Sequence, residues 1–256
     1  MVIGGCIVTK SDTTPQELIK ECESYINKLQ KQCIDMMHNR EYSMRAKQPF
    51  KVMSFVNAMN WRMYETTRAA VNLINQSLII PSLCLVRAAW EDMSVTYELK
   101  TLVAECCENQ RITDEVDNTL MRMLFSNRFE KDNRYVGAHY YESLKNYKAK
   151  NILTLVSKVE KDFPKTKDFY SIICEFVHPN GDGVRGSYSA IDEKADTTLF
   201  GPQFTYDSEM FPAFVVTISC AIDLYLSFVE DIKTHLSGFN KLCEDFLYKK
   251  YNKSKD

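Results

Sequence analysis

Glycine and proline are scarce in this chain, at 8 and 7 of 256 residues, against average usage of roughly 7% and 5%. The shortage argues against a turn-rich sandwich or barrel and for long helices. The nine cysteines include no C-x-x-C pair, which disfavours a zinc ribbon or finger. Several of them fall within apolar periodic runs, where a free thiol packs as a small hydrophobe. Reduced thiols in a cytosolic protein are therefore expected. There is no strong charge of either sign. Against 34 acidic residues stand 32 basic ones, a net charge of −2, so no global electrostatic footprint for nucleic acid exists. The opening MVIGGCIVTKSD lacks the charged start of a signal peptide. Only one apolar run, Phe211 to Val229, approaches the length of a bilayer span. Asp223 lies near its middle, and a mid-bilayer Asp costs roughly 2.5–3.5 kcal/mol. A buried core helix and no membrane association are expected there.

What is present is apolar and aromatic material, with 45% hydrophobic residues, 14 Tyr and 14 Phe, arranged at helical spacing. Thr14 and Pro15 open a helix whose Leu18, Cys22, Tyr25, Ile26, Leu29, Cys33 and Met36 recur at three and four. A second helix is predicted over about 50–75, with Pro81 ending or kinking that run. A third follows from Ser82, apolar nearly all round in its first half and hence central. Thr113 and the acids after it start another. Shorter helices cover AKNILTLVSKVEKDF and KDFYSIICEFVH, stopped by Pro164 and Pro179. GSYSAIDEKADTTLFGP has two short β-like runs around DEKAD, a hairpin signal. Ser208 caps a final helix of roughly 209–250. The expected architecture is all-α, a single multi-helix domain over 1–256. It carries a hairpin insert at about 186–201, an irregular N-terminus over 1–12 and a frayed tail over 250–256.

Five groups of residues are candidates for chemistry. HPNGDGVRGSY contains a literal G-x-G-x-x-G at Gly181 to Gly186. A dinucleotide turn needs a strand before it and a helix after. Here the order is helix, glycines, strand, so the expectation is a flexible loop whose glycines supply positive φ. Nor does it have EF-hand spacing. Glu175-x-x-His178 has the ligand spacing of helical di-iron proteins, but a second pair and two further Glu would be needed, and no metal is expected. Arg87 and Glu91 sit four apart in an otherwise apolar run. They form either a register-fixing ion pair or the cationic wall of a pocket with His178. Arg134-x-x-x-x-His139 matches the R-x(4–6)-H motif of HEPN ribonucleases. In those helical enzymes Arg stabilises a crowded phosphate and His moves the proton as a 2′-hydroxyl attacks, without metal. Tyr135 departs from the polar residue usual after that Arg. Lys145, Lys148 and Lys150 interleave with tyrosines, a pattern of single-stranded RNA binding and equally of a solvated helix face.

Taken together, SLCLVRAAWED, KAKNILTLVSKVEKDF and FYSIICEFVHPNGDGVRGSYS resemble segments of a group of uncharacterised bacterial helical proteins with an SEFVHPN-type signature. The likeness spans roughly residues 77–201. Ile173-Cys174 stands where Leu-Ser is usual. The resemblance implies an all-helical, loosely HEPN-like fold and a context among anti-phage or toxin systems. It points to Arg87, Glu91, Glu175, His178 and Asn180. The expectation is a cytoplasmic protein without cofactor. It would be a metal-independent RNase or defence effector with His178 as acid/base, Arg87 as phosphate-stabilising cation and Glu91 orienting it. Arg134 and His139 are the alternative pair, and Glu175, Asn180 and Asp182 are binding residues. The alternative class is a non-catalytic interaction or oligomerisation module built on the loop and hairpin, with a homo-oligomer or protein partner in place of RNA. A di-metal carboxylate protein is the third.

Overall fold

The computed structural model describes residues 2–3, 6–7, 13–38, 40–125, 150–204 and 208–253. The fold is an all-α helical bundle with a small antiparallel hairpin. Its helices are α1 (Pro15–Gln30), α2 (Gln48–Asn75), α3 (Ile79–Glu108), α4 (Asp114–Phe125), α5 (Ile152–Asp162), α6 (Thr166–Val177) and α7 (Phe211–Lys253). A π-helical turn, Gly181–Gly186, follows α6. Strands β1 (Val2–Ile3) and β2 (Cys6–Ile7) pair in a minimal ladder where an irregular N-terminus is expected. Strands β3 (Ser189–Asp192) and β4 (Thr197–Phe200) form the hairpin, with Ser189 opposite Phe200 and Asp192 opposite Thr197.

Helix boundaries follow local chemistry. Thr14 and Glu17 form a reciprocal capping box at the start of α1. The periodicity predicts that helix as far as Met36, yet α1 ends at Gln30. Tight turns from Gln32 N to Leu29 O and from Cys33 N to Gln30 O close it. Asn60 takes the Gln32 carbonyl at 3.0 Å, and Met36 is left exposed. Pro81 does not end the second helix; it sits in the first turn of α3, where its missing N–H costs nothing. The break comes at Ser77, which has a left-handed φ of 58°. Between α5 and α6, Lys165 turns with φ 75°. The Glu160 carboxylate accepts from the N–H groups of Lys165 at 2.9 Å and Lys167 at 2.7 Å, an anion at a helix N-terminus. Helix α7 continues to Lys253, slightly past the predicted end.

Chain contacts group the residues into two units. The first comprises Met1–Cys33, Met59–Ser94 and Val156–Ser227. Its core centres on Trp90, fully buried. The Trp90 indole N–H donates to Thr217 O at 3.2 Å, and the ring stacks on Phe169 at 6.2 Å. Truncating such an aromatic costs about 3–5 kcal/mol. Phe176, Phe204 and Phe214 pack edge to face at 5.4–5.6 Å. The second unit comprises Ile34–Ala58, Val95–Leu155 and Phe228–Asp256. There Tyr97 packs on Phe228 at 5.2 Å. Ser43 donates to Glu244 at 2.6 Å, Lys51 pairs with Asp117 at 2.6 Å, and Lys150 pairs with Glu98.

Helix α7 is long and apolar enough to cross a membrane, but 72% of its apolar window is buried within the chain, as in a core helix. Cys22, Cys33, Cys84, Cys106, Cys107, Cys174, Cys220 and Cys243 are free thiols. Burial raises Cys106 to about 11 and Cys243 to about 12. Those two are therefore packed thiols rather than nucleophiles.

Candidate functional site

The polar group that the fold assembles in the first unit is Arg87, Glu91 and Tyr170. Arg87 and Glu91 occupy successive turns of α3. The Arg87 Nε donates to Glu91 Oε1 at 3.1 Å and lies 3.4 Å from the Tyr170 hydroxyl. Tyr170, on α6, donates its own proton to the same Glu91 oxygen at 2.8 Å. Arg87 and Glu91 are about one-third exposed, whereas Tyr170 is 2% exposed. The Tyr170 hydrogen bond raises the Arg87 pKa above its ordinary value, with burial opposing. Burial, and then the Glu91 carboxylate, raises Tyr170 far above the usual phenol range. Both groups thus keep their protons at any physiological pH. The Arg87 guanidinium lies over the Tyr170 ring at 6.0 Å, and its terminal amino groups make no hydrogen bond among the described residues while Nε is held.

Tyr170 is the member that sequence reasoning passed over. It lies four residues before Cys174, on the same face of α6. A tyrosine hydroxyl carried into an apolar core needs a partner, and Glu91 with Arg87 was the polar pair available. Cys174 lies close enough to this group to bear on both Arg87 and Tyr170.

Glu175, His178, Asn180 and Asp182 form a different arrangement at the end of α6. His178 is extended, at φ −74° and ψ 143°, as a residue before proline prefers. The His178 side chain is exposed and shares no hydrogen bond or ion pair with Arg87 or Glu91 among the described residues. Asn180 closes the turn on both sides. Its Oδ1 accepts from Gly183 N at 2.9 Å and its Nδ2 donates to Glu175 at 2.6 Å. Asp182 contributes its carbonyl to Ser187 Oγ at 2.7 Å, and its carboxylate makes no hydrogen bond among the described residues.

The glycines do not serve as predicted. None of Gly181, Gly183 and Gly186 has positive φ, so supply of left-handed backbone is not their role. Gly183 is required for close approach, because a Cβ there would stand 1.8 Å from His178 O and 2.9 Å from Phe176 O. The loop is a packed π-helical turn seated on the end of α6.

Among the described residues no group of three or more His, Cys, Asp or Glu could hold a metal ion. Glu175 is instead engaged by Asn180. Arg134, His139, Lys145 and Lys148 lie outside the described residues. Comparison with protein-family models, curated proteins and solved structures finds no match for this chain.

Proposed function

We propose that this is a cytosolic, HEPN-like helical protein that binds RNA through its phosphodiester backbone and cleaves it without a metal. One observation carries the reading. Arg87 is anchored by Nε to Glu91 and Tyr170 and stays protonated, its side chain is about one-third exposed, and its terminal amino groups make no hydrogen bond among the described residues. That is the geometry of a phosphate-holding arginine, since a planar fork receives two phosphate oxygens at once. His178 is assigned the proton transfer, as an exposed imidazole immediately after the end of α6. From Tyr170 to the end of α6 at Val177 the helix rises about 10 Å at 1.5 Å per residue, and His178 follows it. Arg87 is therefore assigned to one phosphate and His178 to a neighbouring one along the strand. At that phosphate the 2′-oxygen loses its proton and attacks phosphorus, the bond to the 5′-oxygen breaks, and a proton is delivered to the leaving oxygen.

The test is purified protein with single-stranded RNA in EDTA. Cleavage is expected, abolished in His178→Ala and reduced at least tenfold in Arg87→Ala. His139→Ala tests the alternative pair. Absence of cleavage, or cleavage indifferent to all three changes, overturns the reading. Melting curves of Arg87→Ala must accompany the assay, because the ion pair also has a packing role.

A second reading, a non-catalytic interaction module, is favoured by the hairpin. Every residue of β4 is exposed, and Phe200, Ile191 and Leu199 are 85%, 60% and 57% exposed. It predicts that Phe200→Lys abolishes association while melting and RNA cleavage are unchanged.

A further inference from the structure

Within the first unit, α1 and α2 line an open cavity of about 390 Å³, within the size range of small-molecule sites. Asn60 of α2 bonds the carbonyl of Gln32, just past the end of α1. The cavity lies beyond that contact, among lower-numbered residues of α1 and higher-numbered residues of α2, so the two helices run antiparallel along it. Its floor is apolar, formed by the buried Ile26, Tyr64 and Val71. Its rim is polar and carries one charge of each sign.

The two charges are Arg68 on α2 and Glu23 on α1, and both line the cavity. They do not pair with each other, and neither has an ion-pair partner among the described residues. Arg68 is nevertheless held in place. Its Nη1 donates to the Tyr64 hydroxyl at 2.8 Å, and its guanidinium lies over the Tyr64 ring at 5.7 Å. Tyr64 and Arg68 are four apart on one helix face, which keeps the guanidinium over the floor. The carboxamides of Asn27, Gln30 and Asn72 complete the rim and make no hydrogen bond among the described residues.

We propose that this groove binds a free α-amino acid as its zwitterion. The carboxylate would pair with Arg68 and the ammonium with Glu23. The side chain would lie on Ile26 and Val71 beside the rim carboxamides. A simple anion would meet repulsion from Glu23, and a simple cation repulsion from Arg68. A molecule that carries both charged groups on one carbon satisfies the two ends together. The site is independent of the RNA-binding reading, and neither Arg87 nor His178 belongs to it.

The experiment is calorimetric titration of the whole protein with L-leucine and L-glutamine. Two single-charge relatives of leucine, 4-methylpentanoate and 3-methylbutylamine, are titrated in parallel. At least one amino acid is expected to bind saturably, with each single-charge relative weaker by about tenfold or more. Arg68→Gln and Glu23→Gln should each weaken the amino acid by a similar factor. Both side chains are exposed, and circular dichroism melting should stay within a degree or two of wild type. Binding of 4-methylpentanoate as tightly as leucine overturns the proposal. So does binding indifferent to either substitution, or no saturable heat with either amino acid. RNA cleavage should be the same in both variants, which separates failure here from failure of the ribonuclease reading.

Discussion

Two adjacent carboxylates on α3, Glu91 and Asp92, each meet an arginine, and the two pairs are built differently. Glu91 is about one-third exposed, like its partner Arg87, four residues earlier on the same helix. Tyr170 shares its oxygen. Asp92 is only 8% exposed, while its partner Arg62, on α2, is 60% exposed. Arg62 Nε bonds both Asp92 oxygens, at 2.9 and 2.7 Å. Even so, burial raises the Asp92 pKa to about 6. Arg62 opposes that rise, and the neighbouring charge of Glu91 adds to it. At Asp92 the cost of burial outweighs the attraction of Arg62. A buried carboxylate tied to a solvated guanidinium keeps most of its penalty.

The largest expected effect comes from removing the Asp92 charge. In the folded state Asp92 holds its proton up to about pH 6, against 3.8 ordinarily. Between those values the folded chain binds more protons than the unfolded chain. Its contribution to stability therefore grows as pH falls through 6 and is lost as pH rises. At about 1.4 kcal/mol per pKa unit the full difference is roughly 3 kcal/mol. Asp92→Asn should therefore gain on wild type between pH 4 and pH 7.5 by roughly that amount, read from urea unfolding at several pH values. Parallel curves for the two proteins would show that Asp92 is not a strained carboxylate.

The contrast between the two pairs also explains what was legible in the sequence. Arg87 and Glu91 could be found because a spacing of four on one helix is a local fact, visible in a single apolar run. Arg62 and Asp92 are 30 residues apart, on different helices, and no periodicity links them. Tyr170 was hidden for the same reason, 79 residues from its acceptor. The helices themselves were readable, since capping at Thr14 and stops at Pro164 and Pro179 are local chemistry. The end of α1 was not, because Asn60 in α2 takes the carbonyl of Gln32. The glycines of the π-helical turn were misread because the crowding at Gly183 comes from carbonyls of the preceding helix end. Composition suggests a backbone that must bend, not one that must be closely approached.

The second test acts on the other partner. Arg62→Ala leaves Asp92 buried without its cation. Full loss of a partner in a buried pair costs about 3–5 kcal/mol, but Arg62 is mostly solvated, so roughly 1–2 kcal/mol is expected at pH 7.5. The loss should shrink below pH 5, where Asp92 is protonated and needs no cation. In an Asp92→Asn background it should fall to a few tenths of a kcal/mol, the pattern of two residues that act through one contact. A pH-independent loss would assign Arg62 to packing.

The smallest effect belongs to the better-matched pair. Tyr170→Phe removes one hydroxyl and keeps the ring beneath Arg87. A hydrogen bond to a charged group contributes about 1.5–3 kcal/mol when both ends are buried. Glu91, one-third exposed, can recover part of that from water, so about 1 kcal/mol should be lost in urea unfolding. The loss should be flat from pH 5 to 8, because Tyr170 is held far above that window. Arg87 would keep its Nε bond to Glu91 but lose the hydroxyl that fixes its second contact. If Arg87 holds a phosphate through its outer fork, RNA affinity should fall a few-fold with the fork less firmly aimed, at unchanged salt slope, since no charge is removed. A fall in the salt slope would instead mean that the guanidinium has swung away from the strand. Its orientation would then depend on the tyrosine more than on Glu91.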